Sequence, residues 1–323
     1  MMKRRSLLAS SAAFLATPAL AMTASLAEAL EPLDQLHSLQ VRQGDRLVFA
    51  EAPRGPGLER AANIKSVSKS VVALLLGQAI EEGHVSSVRS TLGDVAPRLI
   101  PNWAEAGARD ITLEDLVTLR AGLERTSGAN YGGWVSSSNW VANALARPLV
   151  AEPGGRFLYS TGSTHILGAA LAEAVGESLL AQARRILGRP MGFEVPAWTR
   201  DPQGYYLGGN EMALTPRAML DLAVMVRDGG RFEGRQIVSQ AWIEASLMPR
   251  ARSPWSGLAY GYGWFLSPTG WALGRGYGGQ IIAAHRKRDL AVAITSDPTR
   301  PARSGGYFGD LMALLDGPIL ALS

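Results

Sequence analysis

The sequence predicts an α/β (α+β) fold: one antiparallel sheet assembled from both chain ends and flanked by helices, with a mostly helical subdomain inserted between them. Three observations carry this. An alternating apolar and polar run from Ser38 to Ala50 breaks at Gln43-Gly44-Asp45, a hairpin signal; strand-like runs return after Gly230; and helical spacing interrupted by Pro and Gly prevails between Val85 and Gly230. Residues 22–84 with 231–323 are thus expected to form the sheet subdomain and residues 85–230 the helical one. A chain of 323 residues suits one such large domain.

Residues 1–21 stand apart. Met1 to Arg5 is basic, Ser6 to Pro18 is mostly apolar, and Ala19-Leu20-Ala21 offers the small residues of a cleavage site, which together read as a signal peptide. Arg4-Arg5 before Ser6-Leu7-Leu8 resembles a twin-arginine export signal. The expected location is therefore periplasmic or secreted, with no stable membrane span after cleavage, since the apolar run is too short for one. Leu26 to Leu39 reads as a helical entry, the hairpin follows, and residues 51–61, rich in Pro and Gly, form a loop.

That loop leads into Ala62 to Leu76, A-N-I-K-S-V-S-K-S-V-V-A-L-L-L. Ser66 and Lys69 are three apart at the head of an apolar run, so on a helix both side chains project from one face. A serine hydroxyl is a poor nucleophile and a lysine a poor base until desolvation removes its proton, which Val71, Val72 and Leu75 are placed to do. The helix start adds free N–H groups where an oxyanion would form. The same spacing also occurs on solvated helices. Here, however, the only lysines are Lys3, Lys65, Lys69 and Lys287 among 32 basic residues, so lysine is not this chain's habitual surface charge.

Further along, Thr112 caps an apolar face from Leu113 to Val117. The stretch with Asn130, Tyr131, Trp134 and Trp140 is irregular, either a site-lining loop or a loop pinned by its aromatics. Glu152 to Gly162 turns and extends, placing Tyr159 where the chain changes direction, a position open to a structural or a catalytic phenol. Thr164 to Val175 is helical. Strands are expected at Tyr262–Leu266, Gly270–Leu273, Ile281–His285 and Leu290–Thr295, then a closing helix from Tyr307 to Leu320. The glycines of Gly274 to Gln280 allow close approach of a ligand or of a neighbouring element.

Composition excludes several classes. Hydrophobic content of 47% with 19% charged residues describes a globular chain rather than a disordered one. Loss of Lys3, Arg4 and Arg5 with the leader takes the formal charge from +4 to +1, and no basic stripe interleaved with aromatics suggests nucleic acid. Without cysteine there is no disulfide, thiolate site or cysteine nucleophile. No His-Glu-x-x-His spacing suggests a metal, no cofactor is implied, and no Gly-x-Ser-x-Gly elbow joins His37, His84, His165 or His285 into a Ser-His-Asp site.

Taken in order, Ile64 to Ser70, Leu116 to Leu123, Pro153 to Ser160 and Gly276 to Gln280 resemble the serine β-lactamase and penicillin-binding-protein superfamily. The likeness is strongest to the class C β-lactamase-related branch, which includes esterases and 6-aminohexanoate-dimer hydrolases, and it covers nearly the whole mature chain. It implies a β-lactamase/transpeptidase-like fold and a serine hydrolase that acts through an acyl-enzyme on ester or amide bonds. Ser66 is then the nucleophile, Lys69 its proton acceptor and Tyr159 the proton relay. Tyr277-Gly278-Gly279 takes the place of the Lys-Thr-Gly strand, and the N–H groups of Ser66 and Gln280 form the oxyanion hole.

Two departures bear on substrate. Tyr159-Ser160-Thr161 ends in threonine where the family often has asparagine, and Tyr277 replaces the strand lysine that holds a β-lactam carboxylate. Arg275, two residues earlier, is expected to point elsewhere, so a small neutral ester or amide is favoured, with Tyr131 or Trp134 as further substrate contacts. β-Lactam hydrolysis, D-amino-acid peptide cleavage and a catalytically silent binding role are the rival expectations.

Overall fold

The computed structural model describes residues 25–322; the expected leader, residues 1–21, lies outside them. Among the described residues both chain ends meet in one antiparallel sheet. Its strands are β1 (Leu36–Gln43), β2 (Arg46–Glu51), β3 (Ala251–Arg252), β4 (Ala259–Tyr260), β5 (Phe265–Leu266), β6 (Ala272–Gly276), β7 (Gln280–His285) and β8 (Leu290–Ser296). They lie in the order β2-β1-β8-β7-β6-β5-β4-β3. The register of β1 on β8, with Leu39 opposite Ile294 and Val41 opposite Val292, joins the N-terminal hairpin to the C-terminal strands. As expected, Gly44 turns the hairpin, with φ of +53°.

The two central strands β7 and β8 are buried on both faces, and their alternation divides the core. Ile282, Ala284, Ala291 and Ala293 pack toward the helical side, whereas Ile281, Ala283, Val292 and Ile294 pack toward Leu26, Leu30, Leu311 and Leu314 from the chain ends. A one-residue slip would exchange the two sets, so apolar burial on both sides fixes the register.

The helices that position the site are α1 (Ser68–Glu81), α2 (Leu113–Val117), α3 (Tyr131–Val135), α4 (Thr161–Val175), α5 (Pro216–Arg227) and α6 (Tyr307–Leu314). Helix α1 is buried on every side from Ser68 to Gly77, the mark of a central core helix. Thr112 and Asp115 form a capping box on α2, as the threonine signal suggests.

Three elements differ from expectation. The entry helix spans only residues 25–30, because Pro32 lacks the N–H needed to continue it and β1 claims the chain from Leu36. The aromatic stretch after Asn130 is ordered into α3 and a second short helix, Trp140–Leu145, rather than left irregular. The closing helix holds α geometry only to Leu314 and continues as a π-turn over Leu315–Ile319, which contains Pro318.

Candidate active site

The chain enters the site through a tight turn. Ala62–Asn63 pairs with Ala213–Leu214, and Lys65–Val67 forms a 3₁₀ turn that runs directly into α1. Lys65 and Glu211 both adopt left-handed backbone angles, with φ of +50° and +68°. Non-glycine residues hold such angles at a cost of about 1–3 kcal/mol when their surroundings enforce them. The enforcement here is visible: Lys65 Nζ lies 3.0 Å from Glu211 Oε1, Asn63 Nδ2 donates to Glu211 Oε2 at 2.6 Å, and the Lys65 N–H donates to Asn63 Oδ1 at 2.9 Å. The clamp fixes the residue immediately before Ser66.

One turn on, Lys69 is 3% exposed and its Nζ lies 3.1 Å from Ser66 Oγ. It also donates to the Gly209 carbonyl at 2.6 Å and lies 3.3 Å from Thr161 Oγ1. No carboxylate stands among these partners. Burial therefore acts unopposed and pulls the amine down from 10.5 to about 7. Thr161 is itself fixed by Ser127, whose Oγ lies 3.0 Å from Thr161 Oγ1 and accepts from the Thr161 N–H at 2.9 Å.

Tyr159 completes the cluster. Its ring lines the same cavity as Ser66, and Lys69 Nζ sits 4.9 Å from the ring's centre. Burial raises the phenol above its ordinary range, while Ser66 and the charge of Arg275 pull it back. The ring stacks on Phe265 at 6.3 Å, which holds the phenol in place.

Ser66, Ser127, Tyr159 and Thr161 line a cavity of about 600 Å³, a volume suited to a small organic ligand. Tyr131 and Tyr277 also line it, Tyr131 with its hydroxyl accepting from Asn210 Nδ2 at 3.0 Å and Tyr277 at its mouth, 53% exposed. Trp134 does not. It is fully buried, donates its indole N–H to the Trp140 carbonyl at 2.8 Å and packs on His165 and, edge to face at 5.8 Å, on the Tyr131 ring.

The glycine-rich segment requires a second correction. Gly276 and Tyr277 reach the cavity, whereas Gly278, Gly279 and Gln280 are not among its lining residues. The last three close the β6–β7 hairpin: Gly278 abuts Asp297 and Pro298, Gly279 abuts Tyr307, and the Gln280 side chain donates to the Ser296 carbonyl at 2.7 Å. Gln280, whose N–H is the expected oxyanion donor, is fully buried at the start of β7, pairs with Gly276 across the hairpin and is not among the cavity's lining residues. The Tyr277 N–H, by contrast, has no partner among the described residues.

A third correction concerns charge. Arg275 does not point away; it lines the same cavity as Tyr277, because Tyr277 lies past the strand end while Arg275 leaves the opposite face of β6 from its glycine neighbours. Those neighbours, Gly274 and Gly276, face Ser70, Val67 and the Ile64 carbonyl, so β6 lies directly against the nucleophile turn. A methyl group at Gly276 would collide with that carbonyl. Gly276→Ala is expected to cost about 1–3 kcal/mol of stability and to lower turnover more than ~10-fold as the strand is pushed off the turn. Thermal unfolding beside an ester assay checks this; a variant with parental stability and rate would contradict the close packing.

Several of these partners have no signature in the sequence reading: the Gly209 carbonyl, Thr161 with Ser127, and the Lys65–Glu211 clamp. The departure from the family pattern at Thr161 was the one available sign. Among the described residues no group of three His, Asp or Glu side chains gathers as a metal site, and no single helix is long and apolar enough to cross a membrane.

A family profile described as Beta-lactamase matches residues 38–315. No curated protein sequence matches. Among solved structures, EstCE1, a hydrolase with promiscuous acyltransferase activity, superposes with a TM-score of 0.76 at 18% identity, over 93% of this chain and 98% of its own. A family VIII carboxylesterase gives 0.72 at 15% identity, over 92% and 96%. A penicillin-binding protein homologue from Caulobacter crescentus gives 0.71 at 17% identity, over 87% and 92%.

Proposed function

The chain belongs to the beta-lactamase family, and on that premise we propose that it is a serine hydrolase that cleaves small esters or amides through an acyl-enzyme on Ser66. The observation that carries the proposal is the amine of Lys69, buried without a counter-charge 3.1 Å from Ser66 Oγ and brought down to about 7. A base with that value is half neutral near physiological pH, where general-base catalysis is most effective.

In the proposed sequence, Lys69 takes the Ser66 proton as Oγ attacks the substrate carbonyl. The Ser66 and Tyr277 N–H groups hold the oxyanion, the first at the head of a 3₁₀ turn and the second unpartnered among the described residues. Tyr159, protonated in the resting site, carries the proton from Lys69 to the leaving group, and water then cleaves the acyl ester with the same two residues returning the proton. Gly209 and Thr161 keep the amine aimed at Ser66. An exported location goes with this reading on the strength of the leader alone.

Tyr159→Phe tests the relay. It is expected to lower kcat on a short-chain nitrophenyl ester about 10²–10⁴-fold, the usual worth of positioned proton transfer, with little change in KM. A phenylalanine variant within a few-fold of the parent would remove Tyr159 from the mechanism. A catalytically silent binding protein would instead show no turnover in either form.

A further inference from the structure

One buried titratable pair takes no part in the proposed hydrolysis. His165 lies on α4, one helix turn beyond Thr161, and neither it nor Asp201 lines the cavity. Both side chains are fully buried, with His165 Nε2 3.0 Å from Asp201 Oδ2. Asp201 Oδ1 accepts from the Gln203 and Tyr205 N–H groups, each at 2.9 Å. On its other side the imidazole accepts the Gly208 N–H at Nδ1, at 3.4 Å. An imidazole that accepts at Nδ1 carries its proton on Nε2, so the carboxylate and the Gly208 backbone together select one tautomer. The rings of Trp134 and Trp140, each with its centre 5.7 Å from that of the imidazole, hold it in T-shaped contact.

What this pair touches is the segment that aims the base. Gly208 donates to His165, and the next carbonyl, that of Gly209, accepts from Lys69 Nζ at 2.6 Å. A neutral amine has two N–H groups and one lone pair, and a carbonyl can only accept. With the Gly209 carbonyl taking one N–H, and Thr161 Oγ1, 3.3 Å away, placed for the other, the lone pair is left for the Ser66 hydroxyl. Neither glycine has room to spare. A Cβ on Gly208 would strike the Thr164 carbonyl, and one on Gly209 would sit 3.2 Å from Lys69 Nζ. A displacement at Gly208 therefore reaches the amine through a single residue.

We propose that His165 and Asp201 are positioning residues: Asp201 holds the proton of His165 on Nε2, and the free Nδ1 anchors Gly208 so that the Gly209 carbonyl meets Lys69. This rests on the serine-hydrolase reading above and gives neither residue a contact with substrate. Asp201→Asn is the decisive change because it alters one group and no shape. The Asn carbonyl keeps the Gln203 and Tyr205 N–H groups, which turns its amide NH₂ toward Nε2. Nε2 must then accept, the proton moves to Nδ1, and two donors face one another at Gly208. In serine proteases the same exchange behind a histidine keeps the geometry and produces the wrong tautomer.

Nitrogen-15 NMR of the imidazoles reads the tautomer, with His165 identified by its loss in His165→Gln. The proton is expected on Nε2 in the parent and on Nδ1 in Asp201→Asn. On a short-chain nitrophenyl ester, Asp201→Asn is expected to lower kcat about 10-fold or more, with KM within about 2-fold of the parent. His165→Gln, whose amide reaches Asp201 but offers Gly208 no acceptor, is expected to match it, and the double variant to lose no more than either single one. A tautomer that Asp201→Asn leaves unchanged, an unchanged kcat, or losses that multiply in the double variant would each overturn the proposal. Lys69 can be followed apart from turnover, since Lys3, Lys65 and Lys287 are the only other lysines and NMR titration in Ser66→Ala resolves so few amines. Without the Gly209 carbonyl the ammonium loses a hydrogen bond, so adding Asp201→Asn is expected to lower the proton affinity of Lys69 about 3-fold or more. That fall would uphold the positioning of Lys69 even if no ester were cleaved, which separates it from the hydrolase reading. A proton affinity that stays put, or rises toward that of an ordinary lysine as water enters, would overturn it.

Discussion

Replacing Ser66 by alanine is expected to lower turnover of a short-chain nitrophenyl ester by at least ~10⁴-fold, because loss of a nucleophile removes the covalent route and leaves only binding and oxyanion stabilisation. Folding should be spared. The hydroxyl lies at a turn already held by the Lys65–Glu211 clamp, and its partners Lys69 and Tyr159 keep other contacts in Gly209 and Phe265. Turnover and thermal unfolding of the same preparation check both halves. An alanine variant that retained a tenth of the parental rate would place the chemistry elsewhere.

Lys69→Met has the second large effect, and its sign can be worked out. Burial brings the amine from 10.5 to about 7 in the folded protein. Between those values the unfolded chain holds a proton that the folded chain does not, so stability contributed through this group rises with pH across the window. Below pH 7 the buried site must carry the charge, and the penalty is fully present, on the order of 5 kcal/mol for a shift of this size. Methionine fills the same space without an amine. It is therefore expected to stabilise the protein at pH 6 and to lose that advantage as pH rises toward 10, while hydrolysis falls by ~10³-fold or more. Urea unfolding at the two pH values is the measurement; a stability difference that did not vary with pH would mean that Lys69 carries its charge freely in the fold.

The sequence reveals the local half of this site better than the distant half. Ser66 and Lys69 are legible because a helix start imposes their common face, and no other part of the chain is needed to bring them together. Tyr159 is legible only through the family resemblance, since nothing in its neighbours distinguishes a catalytic phenol from a packed one. Gln280 was misplaced because a run of glycines reads equally as strand or as turn, and only the pairing of Gly276 with Gln280 reveals that Tyr277 to Gly279 is the hairpin loop. Trp134 was misplaced because α3 is too short to betray a periodicity, so its buried face was invisible. Backbone partners such as the Gly209 carbonyl leave no trace in residue type.

Fold and chemistry are linked through β6. Its two glycines let the strand lie against the nucleophile turn, and the residue between them, Arg275, is driven to the other face and into the aromatic wall of the cavity. The same pleat thus explains the close approach to Ser66 and the stacking of Arg275 on Phe265 and Phe308. Helix α6, which brings Phe308 to that wall, also packs the outer face of the sheet, so C-terminal packing and the cavity wall share one element.

The central claim is that the Ser66 hydroxyl is activated by an amine that is neutral near pH 7. Its most direct test is the rate of covalent labelling of Ser66 by a fluorophosphonate, followed by mass spectrometry of the peptide that contains it, from pH 5 to pH 9. Labelling confined to Ser66, rising with pH as a single ionisation near 7 and flattened in Lys69→Met, is the predicted result. Absence of label on Ser66, or a rate that follows the same profile with and without Lys69, would contradict it.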